Sequence, residues 1–593
     1  MAENGHALVT GGPGSGKTTI SIIKAVDIVE NRLRPGQQVL FLAFARATVS
    51  RVMEAIDHEH QIPQEHKRRI LVETYHAFFW RILKTHGYLI GLPRRLSILV
   101  PHNEAVGLSA IRSGYKADSK LSDEEKAEKQ QRENAERLRL AFDEGRICFD
   151  LFARFAGEIL HGSARIRKLL STMYPFVILD EFQDTNAGQW HVVRAIGENG
   201  TILALADPEQ RIYDWIGADP ERLNHLRAEF NPAEFDLGTD NHRSGNTEIR
   251  LFGDHILRGR IRDGPYNGVE CLSYEANSNQ ARTKLVTCTL QARQRLIQSG
   301  RREWSLAVLV PTKRMTRFLS DTFRSPPADL PRIPHSATVE MEGAILGADL
   351  IALLMQPMVD RDDFALFVDL LCNFFRGKGG DSPSKTDLAE AERIRTAHED
   401  YAARSANNQP IRGNSLLVAV LEVYRHTRAV VFSGSPDTDW RTIRSVLEEG
   451  SCPRLKAVAE ETRNVRLLDR GTQLRQALSQ DWRDHGAYAS AVNIVRQTFV
   501  QQHFAMAHRP EAGVVVMNMH KAKGKQFDEV IIFDGWPRVV HRKIVSNPDR
   551  IVRSNSVEHD TAQARQNFRV SVTRARLRTT ILTPQQNPCI LLV

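Results

Sequence analysis

Short apolar runs, each closed by a polar turn and followed by a longer stretch of helical period, dominate the first 240 residues. Ala7–Thr10, Val39–Phe44, Phe176–Leu179 and Ile202–Ala206 are nearly unbroken apolar segments of strand length, the pattern of strands buried on both faces. Helical stretches fill the intervals, including one after the first strand that carries Ile22, Ile23, Val26 and Val29 at amphipathic spacing. Strands alternating with helices predict a parallel sheet covered on both sides. A second set of such runs follows late in the chain, at Leu306–Val310, Val514–Met517, Val530–Phe533 and Thr579–Leu582. The pattern therefore predicts two α/β lobes.

Two stretches interrupt them. Strand signals vanish from Leu92 to Leu170, where Asp118–Arg139 interleaves Lys, Arg, Asp and Glu. That run reads as a solvated helix laced with i,i+4 pairs rather than as a binding patch. From about Met358 to Ala491 the pattern is mostly helical, broken by a loop-like RGKGGDSPSK at Arg376–Lys385. Both stretches are expected as insertions into the α/β lobes, and no internal repeat of roughly 20–50 residues is visible.

Composition narrows the function classes. A chain of 593 residues has room for about four domain-sized units. Lys plus Arg exceeds Asp plus Glu by 80 − 71 = 9, giving a pI near 9.2, which suits a polyanionic partner without proving one. The six cysteines lie far apart with no C-x-x-C pair, which argues against a zinc module, an iron–sulfur cluster or a disulfide framework. The opening MAENGHALVT has no secretory pattern, and no apolar run approaches the ~20 residues of a membrane span. A soluble, cytoplasmic protein without membrane association is expected.

Two segments carry recognisable chemistry. Gly11-Gly12-Pro13-Gly14-Ser15-Gly16-Lys17-Thr18 matches G-x-x-x-x-G-K-[ST], a loop whose backbone N–H groups cradle phosphates. Lys17 would reach the β- and γ-phosphates and Thr18 would ligate Mg²⁺. Phe176–Glu181 is a buried strand ending in two carboxylates, at the end where ligands bind in parallel sheets. Asp180 can hold the Mg²⁺ shell and Glu181 can take a proton from attacking water.

In this setting Asp180-Glu-Phe-Gln-Asp-Thr185 resembles the Walker B signature of the UvrD/Rep group of superfamily 1A DNA helicases. The family's other motifs follow in order. Val39–Phe44 resembles motif Ia, Glu73–His76 motif Ib, and Ala206–Trp215 motif III. Asn241–Ser244 resembles motif IV, Met519–Gly524 motif V, and Val572–Ala575 motif VI. The resemblance spans residues 7–582 and implies two RecA-like P-loop NTPase lobes: 1A from residues 1–91 and 171–236, and 2A from 237–357 and 492–593. The helical insertions would be 1B at 92–170 and a reduced 2B at 358–491.

The resemblance also implies roles. Gln210 would sense the γ-phosphate, and Arg243 and Arg574 would be arginine fingers from the second lobe. Thr19, His242 and Gln526 stand at positions that touch the base or ribose in the family. Phe44, Tyr213 and Trp215 would stack on bases, although each also reads as a core aromatic. Thr74, His76, His520 and Lys523 match contacts to the sugar–phosphate backbone.

Some positions depart from the family pattern. Thr19 replaces the usual Arg, His242 the usual Tyr, Gln526 a Glu and Asn518 a Thr, while Ile216 replaces an Arg after Trp215. An upstream glutamine motif and a fused C-terminal module are not expected, given where the residues begin and end. The expected activity is ATP-dependent translocation on single-stranded DNA, in the family's 3′→5′ sense, with separation of duplex ahead, ATP and Mg²⁺ serving as cofactors. Its rival is an ATP-gated, DNA-stimulated module that serves a partner, for example a nuclease in repair or phage defence, without processive unwinding.

Overall fold

The computed structural model describes residues 5–58, 63–116, 120–210, 219–238, 244–301, 303–337, 342–358, 363–380, 383–463, 473–504, 511–541, 543–545, 547, 549–552 and 562–592. These form two compact units. The first comprises Met1–His86, Ala153–Val339 and Met506–Val593; the second comprises Gly87–Phe152 and Glu340–Ala505. In this division residues 153–170 go with the first unit, and residues 340–357 and 492–505 with the second.

The first unit contains two parallel six-stranded sheets. One is built from β1 (Ala7–Thr10), β2 (Val39–Ala43), β3 (Ile70–Thr74), β4 (Phe176–Leu179), β5 (Thr201–Ala206) and β6 (Ala233–Asp236), in the order β3-β2-β4-β5-β1-β6. The other uses β7 (Val269–Tyr274), β8 (Ser305–Val310), β9 (His335–Ala337), β10 (Gly513–Asn518), β11 (Phe527–Phe533) and β12 (Ala575–Pro584), in the order β9-β10-β8-β11-β12-β7. The expected α/β class with two parallel sheets is what the chain forms.

Unbroken apolar strands arise because both faces are covered. Along β8, Ala307 and Leu309 enter one core while Leu306, Val308 and Val310 enter the other. Val515 and Met517 of β10 repeat the alternation against Val514 and Val516. Each such side chain contributes ~1.5–3 kcal/mol relative to exposure. The helix Lys17–Asn31 buries Ile22 and Val29 as its period requires, but Ile23 falls off that stripe and is 64% exposed.

Because β1, β4 and β5 are neighbours running the same way, their carboxyl ends share one edge. That register brings the loop after Thr10, the acids after Leu179 and the turn after Ala206 together.

The second unit is mostly helical, with the apolar helix Glu342–Met355 buried along most of its length in one large core. Two findings correct the sequence reading of residues 92–170. Ser97–Leu99 and Arg146–Cys148 form a short parallel pair where strand signals are absent. The charged run becomes the helix Asp123–Glu144, capped by Ser122 and Glu125, yet Glu133 and Arg137 are buried on it. Glu133 pairs with Arg112 at 3.1 Å, and Arg137 with Glu104 at 2.6 Å. Among the described residues no helix is long and apolar enough to cross a membrane.

Candidate nucleotide and nucleic-acid site

The loop after β1 turns on Gly14 and Gly16, at φ 79° and 87°, a region that side chains with a Cβ enter at a cost. Gly16 is the N-cap of Lys17–Asn31, whose first turn carries no acid, so the free N–H groups and helix dipole present an anion site. The Lys17 ammonium donates to the carbonyls of Gly11 (2.6 Å) and Gly12 (3.1 Å). Pro13 and Ser15 are buried, and the Ser15 hydroxyl has no hydrogen-bond partner among the described residues. Thr18 is half-buried and Thr19 exposed.

Asp180 leaves the end of β4 buried, and Glu181 beside it is half-buried. Burial first, and the charge of Glu181 second, raise the Asp180 carboxyl above its ordinary value against the pull of Arg51 and Lys17. Burial also pushes Glu181 upward, but Lys523, Lys17, a hydrogen bond from Gln183 and Arg574 outweigh it and hold that carboxyl below its ordinary value. Glu181 adopts left-handed φ 51°, ψ 40°, a conformation costing ~1–3 kcal/mol that places its carboxylate at Gln183. Gln183 Nε2 donates to Glu181 Oε2 at 2.7 Å, and the Asp207 N–H donates to Gln183 Oε1 at 3.1 Å. Gln183 thus joins the ends of β4 and β5, a bridging role that the sequence reading had not assigned.

The second sheet brings cations to these acids. Lys523, in the turn after β10, is buried and paired with Asp184. Arg574, at the start of β12, is buried, donates from Nε to the Val570 carbonyl at 2.8 Å, and interacts with Glu181. Burial pushes its guanidinium down to about 10. Arg569, fully buried, reaches Glu209 at 2.9 Å. Gly524 approaches the first lobe closely: a Cβ there would lie 3.1 Å from the Thr48 hydroxyl.

The other expected residues are placed as follows. Phe44 is half-buried, its ring 4.8 Å from that of the fully buried Tyr75. Thr74 Oγ1 accepts from the Ala77 N–H at 3.2 Å, capping the helix Tyr75–His86, and His76 is half-buried. His520 is half-buried, with burial and then Lys313 lowering its pKa. Lys523 points at Asp184 rather than outward, and Asn518 caps the turn that carries both motif V residues by accepting from the Lys521 N–H at 3.0 Å. Gln526 accepts from Arg576 at 3.1 Å and, with Arg51 and Lys525, lines a cavity of about 630 Å³. Gln210 closes the turn Pro208–Gln210, and Tyr213, Trp215, His242 and Arg243 lie outside the described residues.

The residues present fit a nucleotide and its metal. The unpartnered Ser15 hydroxyl and the Lys17 ammonium held at the mouth of the loop suit phosphate oxygens, and the raised Asp180 beside Glu181 is a pair that a cation would relieve. No group of three or more His, Cys, Asp or Glu that could hold a metal occurs among the described residues. A cation at a phosphate loop needs few protein ligands, since phosphate oxygens and water complete the shell.

Comparison with known proteins agrees with this geometry. The UvrD/REP helicase N-terminal domain matches residues 1–144 and 124–231. The ATP-dependent DNA helicase PcrA of Staphylococcus aureus is 20% identical over 352 residues, covering 54% of this chain and 47% of its own length. The Staphylococcus epidermidis PcrA is likewise 20% identical, with 54% and 48% covered. The chain spans about half the length of the curated relatives it matches. Motif order and the paired parallel sheets accord with that match over residues 1–231, and the chain resembles the UvrD/Rep group of superfamily 1.

Proposed function

We propose that the chain hydrolyses ATP and uses the cycle to move 3′→5′ along single-stranded DNA and part a duplex ahead of it. The observation that carries this reading is the seam between the two sheets, where Lys523 meets Asp184 and Arg574 faces Glu181. A site completed from both lobes can couple nucleotide state to lobe separation.

In this reading Lys17 and the loop N–H groups anchor the β- and γ-phosphates. Glu181, kept ionised by its surrounding cations, orients the attacking water and accepts its proton. Gln183 fixes that carboxylate and links it to the turn bearing Gln210. Arg574, with Arg243, stabilises charge on the transferred phosphoryl group. Mg²⁺, held by Thr18 and Asp180, would neutralise charge on the β- and γ-phosphate oxygens. Phe44, Tyr213 and Trp215 supply stacking faces, while Thr74, His76 and His520 supply backbone contacts. The division into 1A, 1B, 2A and 2B belongs to the same proposal.

A second reading, a DNA-stimulated ATPase that clamps DNA without unwinding, is favoured by one observation: Lys523, expected on the DNA backbone, is committed to Asp184. ATP turnover measured with and without single-stranded DNA tests what both readings share. Stimulation of at least roughly tenfold, about 1.4 kcal/mol, supports coupling, and turnover indifferent to DNA removes it.

A further inference from the structure

The helix Ile249–Arg258 of the second lobe carries an arginine that no motif marks. A Cβ built on Gly12 would lie 2.6 Å from a terminal nitrogen of Arg250 and 2.9 Å from its Cζ. Gly12 is not at positive φ, so its backbone does not demand glycine, and the Arg250 guanidinium fills the space that a Cβ would enter. The Gly12 carbonyl also accepts from Lys17, so cations of both lobes flank one residue of the phosphate loop.

The position of Arg250 is braced. Its side chain is only 12% exposed, and Nε lies 3.6 Å from Asp254 Oδ2 one turn on. Asp254 Oδ1 accepts from Arg569 Nε at 2.8 Å, and Arg569 in turn grips Glu209 of the first lobe. The arginine is therefore held against the loop by a chain of charges running from the exposed Glu209 through the buried Arg569 to Asp254 and Arg250.

We propose that Arg250 is a further catalytic residue: a second-lobe guanidinium that engages the terminal phosphate of the nucleotide seated on Gly11–Thr18. It would act beside Arg243 and Arg574, and it rests on the hydrolase reading above. A planar, permanently charged fork suits phosphate oxygens, and a lobe that delivers it only when closed ties hydrolysis to closure.

The test uses the full chain with single-stranded DNA and the variants Arg250→Gln, Arg250→Ala and Arg250→Lys, their thermal melting checked alongside. Loss of one charged donor among three should lower kcat roughly 10–100-fold, below the ~10²–10³ seen when a principal donor is removed. KM should stay within about threefold, and Arg250→Lys should recover part of the rate. Affinity for ADP with aluminium fluoride, a mimic of the transition state, should fall by the same factor as kcat while affinity for ADP alone holds. Turnover within about twofold of wild type in well-folded Arg250→Gln overturns the proposal, as does an equal loss of affinity for ADP and for the mimic. No turnover by the wild-type chain removes the hydrolase reading itself, a result separable from either.

Discussion

Asp180 and Glu181 are adjacent, yet their surroundings pull them apart: Asp180 upward through burial and its neighbour's charge, Glu181 downward through Lys523, Lys17, Gln183 and Arg574. Carboxylates driven apart in this way commonly divide the work, one toward a cation and one toward a proton. Glu181→Gln should therefore leave ATP binding largely intact while DNA-stimulated turnover falls roughly 10²–10⁴-fold, and Lys17→Ala should impair both. Retention of more than about half the rate in Glu181→Gln removes its role as base. Lys523 invites a second measurement. Removing it leaves Asp184 buried without this partner, so Lys523→Ala should destabilise the chain by ~3–5 kcal/mol in urea unfolding. Its single-strand affinity should keep the same salt dependence. A slope reduced by ~0.7 would show instead that Lys523 neutralises a phosphate.

Among the elements, legibility followed position in the sheet. The eight runs read from the sequence as strands are all interior: β1, β2, β4 and β5 in one sheet, β8, β10, β11 and β12 in the other. Within these two sheets the strands missed, β3, β6, β7 and β9, are the four edges. An edge strand needs less apolar burial, and β6 and β9 are only partly buried or exposed throughout, so no apolar run announces them. The site was legible in the same partial way. The loop at Gly11–Thr18 and the acids at Asp180 and Glu181 stand in local motifs, whereas Lys523 meets Asp184 across 339 residues of chain, and Arg250 meets Gly12 across a comparable gap that no spacing rule reaches. The charged helix shows the converse. Its periodicity looked solvated, but Glu133 sits under Arg112, Arg137 and Lys129 with a side chain only 7% exposed. Glu133→Gln should accordingly destabilise by about 3 kcal/mol in denaturant titration, while Glu136→Gln, on the more exposed side, should stay within about 0.5 kcal/mol. Equal, small effects would restore the solvated reading.

Across the molecule, two parallel sheets sharing one hydrolytic site would advance the chain on DNA as that site opens and closes. Lys523 with Asp184, Arg569 with Glu209 and Arg250 against Gly12 all cross between the lobes, so nucleotide bound on the loop bears directly on how firmly they hold together. The surplus of nine positive charges favours a polyanion but sets neither direction nor unwinding. The most direct measurement is strand displacement on duplexes carrying a single-stranded tail at either the 3′ or the 5′ end, with ATP and Mg²⁺, comparing the wild-type chain with Glu181→Gln. Displacement is expected from the 3′-tailed duplex, at least roughly tenfold less from the 5′-tailed one, and none beyond background by Glu181→Gln. Vigorous DNA-stimulated hydrolysis with no displacement from either substrate would contradict it.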